Sequence, residues 1–324
     1  MDTHTAPPSA IVVGVDGSPS SDVAVDWAAA EATRRNLPLH VIHAFSFGYP
    51  MTKSGFGQSV DHLRQLAHGV RNNAVARART VNPDLAVTWD EPSSGPAPAL
   101  VKASETAATV VVGARGLTGA PGLHVGSVSA QLAMHARCPV VVVHDHAGAA
   151  IPAPGAPVVV GVDGSTLSAN AIAYAYEQAR SRGVGLTVVH AWWLKYVEGP
   201  AATMENANWQ RFAEQEHVLV ATSLAGWQDK YPEVLVRSHS VRGLPVEALV
   251  RQSENACLVV VGTRGRGGFA GLLLGSVSQG VMQRSRCPVA IVHAARALPH
   301  EGDDRQGRSG SAEDLTLVAP VHQP

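Results

Sequence analysis

The chain has three cysteines in 324 residues, a formal net charge of −1 and only 5% aromatic residues. Each scarcity excludes a class of protein. A disulfide framework or a cysteine-based zinc site needs cysteines in pairs or clusters. Cys138 and Cys287 each stand alone in Arg-Cys-Pro at the entrance to an apolar run, and Cys257 has no cysteine near it in sequence. All three read as small buried apolar side chains. The balanced charge removes the electrostatic case for a nucleic-acid partner. The longest purely apolar runs, such as Val140 to Val143, fall far short of the roughly 20 residues of a membrane span. Met1 to Ala10 lacks a basic start followed by an apolar segment, so the expected address is the cytoplasm.

What the chain has is glycine in a pattern, written twice. Gly113-x2-Gly116-x9-Gly126-Ser127 and Gly262-x2-Gly265-x9-Gly275-Ser276 each open out of an apolar strand, Val110 to Val112 and Val259 to Val261. Glycine lets backbone N–H groups approach a polyphosphate with no Cβ in the way, and a following helix start adds unpaired donors. The repeat extends over the whole unit. Ile11 to Ser18 aligns with Val158 to Ser165, and Val41 to Ala44 with Val188 to Ala191, at an offset of 147 residues. Ala99-Leu100-Val101, both glycine loops and Cys138-Pro139-Val140 align with their counterparts at an offset of 149, so two residues are inserted in between. Collinearity on this scale means duplication. The expected domains are residues 1–148 and 149–297. A Pro-, Gly- and Ala-rich linker over 145–157 joins them, and a polar tail over 298–324 has no apolar period.

Within each unit, runs rich in Val and Ile (11–15, 39–44, 85–89, 109–113 and 139–144) read as strands of a parallel sheet buried on both faces. Helical stretches lie between them: Ser20 to Arg35, Val60 to Thr80, Pro98 to Thr106 and Ser127 to Ala136. The second unit repeats the strands near 158–162, 186–191, 234–239, 258–262 and 288–293. Strands alternating with helices predict an α/β fold of doubly wound domains.

In such a sheet a ligand lies beyond the carboxyl ends of the strands, where the winding reverses. Asp16, Ala44 and Gly113 stand at those ends in unit one, and Asp163, Ala191 and Gly262 in unit two. Either aspartate can accept from a ribose hydroxyl or an adenine amino group, or hold a metal carried by the phosphates. The alternative is an Asx-turn acceptor, suggested by Asp-Gly-Ser. Gly113 to Gly119 with Ser127 and Val128 would wrap phosphates, and Ser127 and Ser276 also occupy the place expected of a helix N-cap. Arg115 and Arg264 share a loop position from which a guanidinium can pair with phosphate or with a carboxylate across a domain interface. Unit two adds Arg266, Gly267 and Gly268 where unit one has Leu117, Thr118 and Gly119, so phosphate affinity in unit two is expected to be at least equal. His43, His190, His144 and His293 recur at strand ends without acidic or cysteine partners at ligand spacing, and read as packing or interface residues. Neither glycine loop ends in the lysine of a Walker motif, and no nucleophile elbow stands out, which favours binding over efficient turnover.

These residues, from the Val-Gly-Val-Asp start through the glycine loop to the Cys-Pro-Val strand, resemble the universal stress protein family over roughly 9–146 and 156–295. The resemblance implies two tandem Rossmann-like domains, each with a five-stranded parallel sheet, related by a pseudo-twofold axis and joined through antiparallel pairing of their final strands. It implies ATP in each domain, with Mg2+ as a possible companion. It also implies a homodimer of the tandem chain and a regulatory role in hypoxia, dormancy or another stress, exercised on a protein partner that the sequence does not identify. Carried onto this chain, the binding residues are Gly14, Asp16, Ala44, Gly113, Ala114, Arg115, Gly116, Gly119, Gly126, Ser127 and Val128 in the first unit. In the second they are Gly161, Asp163, Ala191, Gly262, Thr263, Arg264, Gly265, Arg266, Gly268, Gly275, Ser276, Val277 and Ser278. No catalytic or metal-ligating residue is expected. The loops Phe45 to Gln58 and Trp192 to Trp209 would border the base; in the second, Trp192, Trp193, Tyr196 and Trp209 can stack on adenine or cover an interface.

Overall fold

The computed structural model of the protein describes residues 6–44, 56–117, 125–145, 153–165, 168–192, 207–265 and 273–293, with backbone only for 56–64 and 207–212. The first half runs β1 (Ile11–Gly14), α1 (Pro19–Arg35), β2 (Leu39–Ile42), α2 (Phe56–Val81), β3 (Val87–Asp90), α3 (Pro96–Ala103), β4 (Thr109–Gly113), α4 (Ser127–His135) and β5 (Val140–Val143). The second runs β6 (Val158–Gly161), α5 (Ser168–Arg182), β7 (Leu186–Trp192), α6 (Ala207–Leu224), α7 (Trp227–Lys230), β8 (Val236–Arg242), α8 (Pro245–Ser253), β9 (Leu258–Gly262), α9 (Ser276–Arg284) and β10 (Val289–Val292). Gly119, Arg266, Gly268, the tail over 298–324, most of the linker, the loop 45–55 and the side chains of Trp193, Tyr196 and Trp209 lie outside the described residues.

The strands form one sheet in the order β3-β2-β1-β4-β5-β10-β9-β6-β7-β8. Every neighbouring pair within a half is parallel, as expected of strands joined by crossover helices. The halves meet where Val140 to Val142 pair antiparallel with Val289 to Ile291. Read outward from that junction, both halves give the same order, which places a pseudo-twofold axis between β5 and β10. The family expectation for the final strands therefore holds, but it produces one continuous ten-stranded sheet rather than two separate sheets.

Alternation along the central strands sends side chains to two cores. Ile11, Val13, Val111 and Val158 face α1, α2 and α5, whereas Val12, Val110, Val112 and Val259 face α3, α4, α8 and α9. Each fully buried aliphatic side chain contributes roughly 1.5–3 kcal/mol relative to exposure. Burial on both faces fails at the two edges. Along β3 the end residues are half-buried and Thr88 and Trp89 exposed, and Arg237, Ser238 and His239 of β8 are exposed. The expected limits of these two strands also shift toward the C-terminus. In the first, Leu85 belongs to a turn in which Asn82 accepts from the amides of Asp84 and Leu85, so pairing starts only at Val87.

The helix α1 shows how local sequence sets an element. Ser18 caps it by accepting from the Ser21 amide at 3.2 Å, Pro19 opens it, Arg34 and Arg35 lie in its last turn, and Asn36 ends it in the left-handed region at φ 51°. Its buried face carries Ala24, Ala28, Ala29 and Ala32, small enough to bring the helix close to the sheet and to α5.

Candidate functional site

Strand order reverses between β1 and β4 in the first half, and between β6 and β9 in the second. At the first reversal a cleft of about 510 Å3 opens beyond the strand ends, within the range of roughly 300–1,000 Å3 for small-molecule sites. It is lined by Gly14, Asp16, Ala44, Gly113, Arg115, Gly116, Gly126, Ser127 and Val128 among the expected residues. Ser21, Ile42, His43, Pro96, Leu100, Val112, Leu117, Val125 and Ser129 join them.

Three of the cleft's glycines, Gly14, Gly113 and Gly116, are explained by what a side chain would meet, whereas a Cβ on Gly126 would make only ordinary contacts at 3.6 Å or more. A Cβ on Gly14 would come within 2.7 Å of Leu100 Cδ1, so glycine lets α3 pack over the end of β1. On Gly113 it would lie 2.7 Å from the backbone of Ser20, where the first turn of α1 crosses the end of β4. On Gly116 it would meet Asp16 Oδ2 at 2.5 Å, and on Gly265 the Asp163 carboxylate in the same manner. The aspartate after the first strand and the middle glycine of the loop are therefore in contact in both halves, although they are about a hundred residues apart in sequence.

Asp16 fills both roles weighed from sequence. Its Oδ1 accepts from the Ser18 amide at 3.0 Å, an Asx turn, while its Oδ2 reaches the glycine loop and accepts from the Leu117 amide at 2.9 Å. Asp163 repeats the turn, accepting from the Ser165 amide at 3.0 Å and the Ser165 hydroxyl at 2.7 Å.

The N-cap of α4 is Gly126 and that of α9 is Gly275, both extended and without a side-chain cap hydrogen bond. This corrects the expectation for Ser127 and Ser276, which are the first helical residues. The consequence is chemical: the first amides of each helix have neither an intrahelical partner nor a capping oxygen, and carry the positive end of the helix dipole. The serines two residues on bind inward instead. Ser129 Oγ donates to the Gly113 carbonyl at 2.8 Å and Ser278 Oγ to the Gly262 carbonyl at 2.6 Å. Ala114 and Thr263 are buried and their amides donate to Val143 and Val292, so their backbone N–H groups face the sheet. Their carbonyls accept from Gly126 and Gly275 at 2.7 Å, drawing the third glycine of each motif back to its strand.

Arg115 pairs with Asp145 at 3.2 Å, a carboxylate of its own half rather than one across the interface. Arg264 is exposed, and Ala294 stands where Asp145 would be. Ser20 Oγ accepts from the Arg115 amide at 3.3 Å, whereas Leu167 occupies the equivalent position of the second half.

His43 Nδ1 lies 2.8 Å from the Val15 carbonyl and His190 Nδ1 2.7 Å from the Val162 carbonyl, pinning the second strand of each half to the residue before the aspartate. His190 Nε2 also meets Glu216 of α6 at 2.6 Å. His144 and His293 reach across the junction to the carbonyls of Met282 and Ala133, as interface residues should. Burial pushes the His293 imidazole below its ordinary range. Trp192 donates from Nε1 to Ser240 Oγ at 3.1 Å, which ties it to the neighbouring edge strand. Among the described residues no group of three or more His, Cys, Asp or Glu side chains is placed to hold a metal ion. No helix there is long and apolar enough to cross a membrane.

Sequence reasoning missed Ser20, Leu100 and Leu117 at the site. Ser20 and Leu100 look like ordinary helix residues, and only the fold brings them against the strand ends.

Comparison with known proteins adds the following. The model of the universal stress protein family matches residues 9–144 and 156–293. Universal stress protein Rv2623 of Mycobacterium tuberculosis is 38% identical over 288 residues, covering 87% of this chain and 95% of that protein. Rv2005c of the same organism is 40% identical over 293 residues, covering 87% and 96%. Among solved structures, a universal stress protein from Archaeoglobus fulgidus superposes with a TM-score of 0.61 at 20% identity, covering 88% of this chain and 98% of that one. One from Pseudomonas aeruginosa gives 0.58 at 18%, covering 90% and 94%.

Proposed function

Since the chain belongs to the universal stress protein family over both halves, we propose that it binds ATP at the end of each half-sheet and acts as a nucleotide-dependent regulator of a stress response. The observation that carries this reading is the contact between Asp16 and Gly116, set before the uncapped start of α4 and repeated by Asp163, Gly265 and α9. A carboxylate and a row of free amides fit the two ends of a nucleotide. Asp16 and Asp163 take a ribose hydroxyl or a Mg2+ ion carried by the phosphates. Gly116, Gly126, Ser127 and Val128 surround the phosphates through their backbones, as do Gly265, Gly275, Ser276 and Val277. The base lies toward Ala44 and Ala191, and Gly119, Arg266 and Gly268 extend the phosphate loops.

The halves act as domains over 1–148 and 149–297, followed by the tail at 298–324. The chain works in the cytoplasm as a homodimer, and its output is a protein partner that distinguishes the loaded from the empty loops. The cleft holds Arg115 but no lysine at the end of its glycine loop, which supports binding rather than rapid turnover.

The test is to denature freshly purified protein, identify any released nucleotide, and then follow ATP binding and hydrolysis with Mg2+. Released or titratable ATP with negligible turnover supports the proposal, whereas no nucleotide and no titratable binding overturns it. Turnover above about 1 per second would move the protein to the alternative class, an ATP-hydrolysing or adenylyl- or phosphoryl-transferring enzyme.

A further inference from the structure

A duplicated chain whose halves meet about a pseudo-twofold axis faces a choice of partner. Each half can in principle pair with the other half or with its own kind in a second copy. Contacts that the axis maps onto themselves do not discriminate. The junction strands are Val140 to Val143 and Val289 to Val292, apolar on both sides. His144 reaches the Met282 carbonyl at 2.7 Å and His293 the Ala133 carbonyl at 3.1 Å, which is the same bond made twice. Only positions that differ between the halves can select.

Such positions cluster between α1 and α5. Glu31 and Gln178 are equivalent residues, 147 apart, and they meet each other: Gln178 Nε2 donates to Glu31 Oε1 at 2.7 Å. Both are almost wholly buried. Glu31 Oε2 lies 2.8 Å from Arg34 of its own helix and 3.0 Å from Arg182 of the other half, and Arg182 also donates to Gln178 Oε1. Arg182 further sits over the Trp27 ring, 5.4 Å from its centroid, while Tyr174 holds the equivalent place in the second half.

We infer that this buried cluster is a pairing key that favours half one against half two because it rejects half two against its own kind in another copy of the chain. Half one against itself would set the carboxylates of two Glu31 residues face to face, but Arg34 and Arg35, the latter equivalent to Arg182, would still compensate them. Half two against itself would set Gln178 against Gln178 and leave the Arg182 guanidiniums without a carboxylate. A buried ionic group left uncompensated is strongly destabilising, and every pair of first halves would leave a pair of second halves over, so the mixed pairing is selected.

One substitution in the full chain reproduces the rejected pairing: Glu31→Gln removes the only acid of the cluster and leaves Arg182 facing two amides. The exchange variant Glu31→Gln with Gln178→Glu restores one acid and one amide on opposite sides. By the pseudo-twofold, Arg35 then takes toward residue 178 the place that Arg182 has toward Glu31. Melting temperature and mass by light scattering are measured for the parent and both variants at matched concentrations. Glu31→Gln is expected to melt roughly 5–10 °C lower and to shift toward larger assemblies than the parent, with the exchange variant recovering at least half of the melting loss and the parental mass. A Glu31→Gln protein that melts lower with unchanged mass would reduce the cluster to a stability element and overturn the inference, as would one unchanged in both readouts. Where Glu31→Gln does not fold, the exchange variant decides: parental mass and melting support the key, and failure to fold or recover overturns it.

Discussion

Alanine at Gly116 is the sharpest perturbation of the site. Among the described residues the only neighbours within 4 Å of the added methyl are Asp16 Oδ2 at 2.5 Å and Cγ at 3.6 Å, so the strain falls on one movable carboxylate rather than on backbone. Rotating Asp16 away breaks its 2.9 Å bond to the Leu117 amide and frees the glycine loop from the end of β1. That bond is charge-assisted but lies near the surface, so its loss costs about 1 kcal/mol of stability, or roughly 2–4 °C in melting temperature. The cost to binding is larger, because the nucleotide loses both the carboxylate and the approach to the loop. A loss of about 1.4–2.8 kcal/mol corresponds to a roughly 10- to 100-fold weaker ATP site. Calorimetric titration of ATP with Mg2+ into the parent, Gly116→Ala, Gly265→Ala and the double variant reads this directly, with thermal melting confirming that the fold survives. Each single variant should weaken one site and leave the other. ATP affinity within twofold of the parent in Gly116→Ala would refute the reasoning and confine the Asp16 contact to a structural role. A much larger loss from Gly116→Ala than from Gly265→Ala would reject the expectation that the second half holds phosphate at least as tightly.

Removing Asp145 should release Arg115 to the phosphates. Asp145→Ala is expected to tighten ATP binding a few-fold with little change in melting temperature, since the ion pair is exposed; weaker binding would contradict this. Burial opposes ionisation of Glu31, but Arg182, Gln178 and Arg34 outweigh it and hold the carboxyl below its ordinary value of 4.5. A depressed native pKa contributes stability that is present above that value and is lost as pH falls through the native one. The melting gap between the parent and Glu31→Gln should therefore shrink on acidification below about pH 4.5; a gap that widens would contradict the sign. The Cys138 and Cys287 thiols are pushed up to about 12 by burial. They should resist a thiol reagent at pH 8 until the chain unfolds, and rapid labelling of either in the native state would be inconsistent with their placement.

Much of the architecture was legible because duplication allowed each half to check the other. The central strands announce themselves as uninterrupted Val and Ile runs, and the glycine motif marks the end of β4 and of β9. The edges were less legible: β3 and β8 mix Thr, Trp, Arg and His, because one long side of each strand lacks a neighbouring strand and their side chains meet solvent. At the site, glycine spacing pointed to the loops, but the partners that make the glycines necessary lie on other elements. Leu100 packs against Gly14 and Ser20 against Gly113 only after α3 and α1 dock. The sequence points to Ser127 and Ser276 as caps because serine is the commoner cap, whereas the caps are Gly126 and Gly275, which have no hydroxyl to offer. Glu31 and Gln178 were invisible as a pair, since residues 147 apart on two unremarkable helices meet only across the pseudo-twofold axis.

The central claim is that each half carries one nucleotide site. Equilibrium binding of ATP with Mg2+ to nucleotide-stripped full-length protein, with stoichiometry fixed by amino-acid analysis, tests it most directly. Saturation at two ATP per chain, with one site of parental affinity and one weakened site in either Gly116→Ala or Gly265→Ala, is the predicted result, while the absence of saturable binding to the folded parent would contradict it.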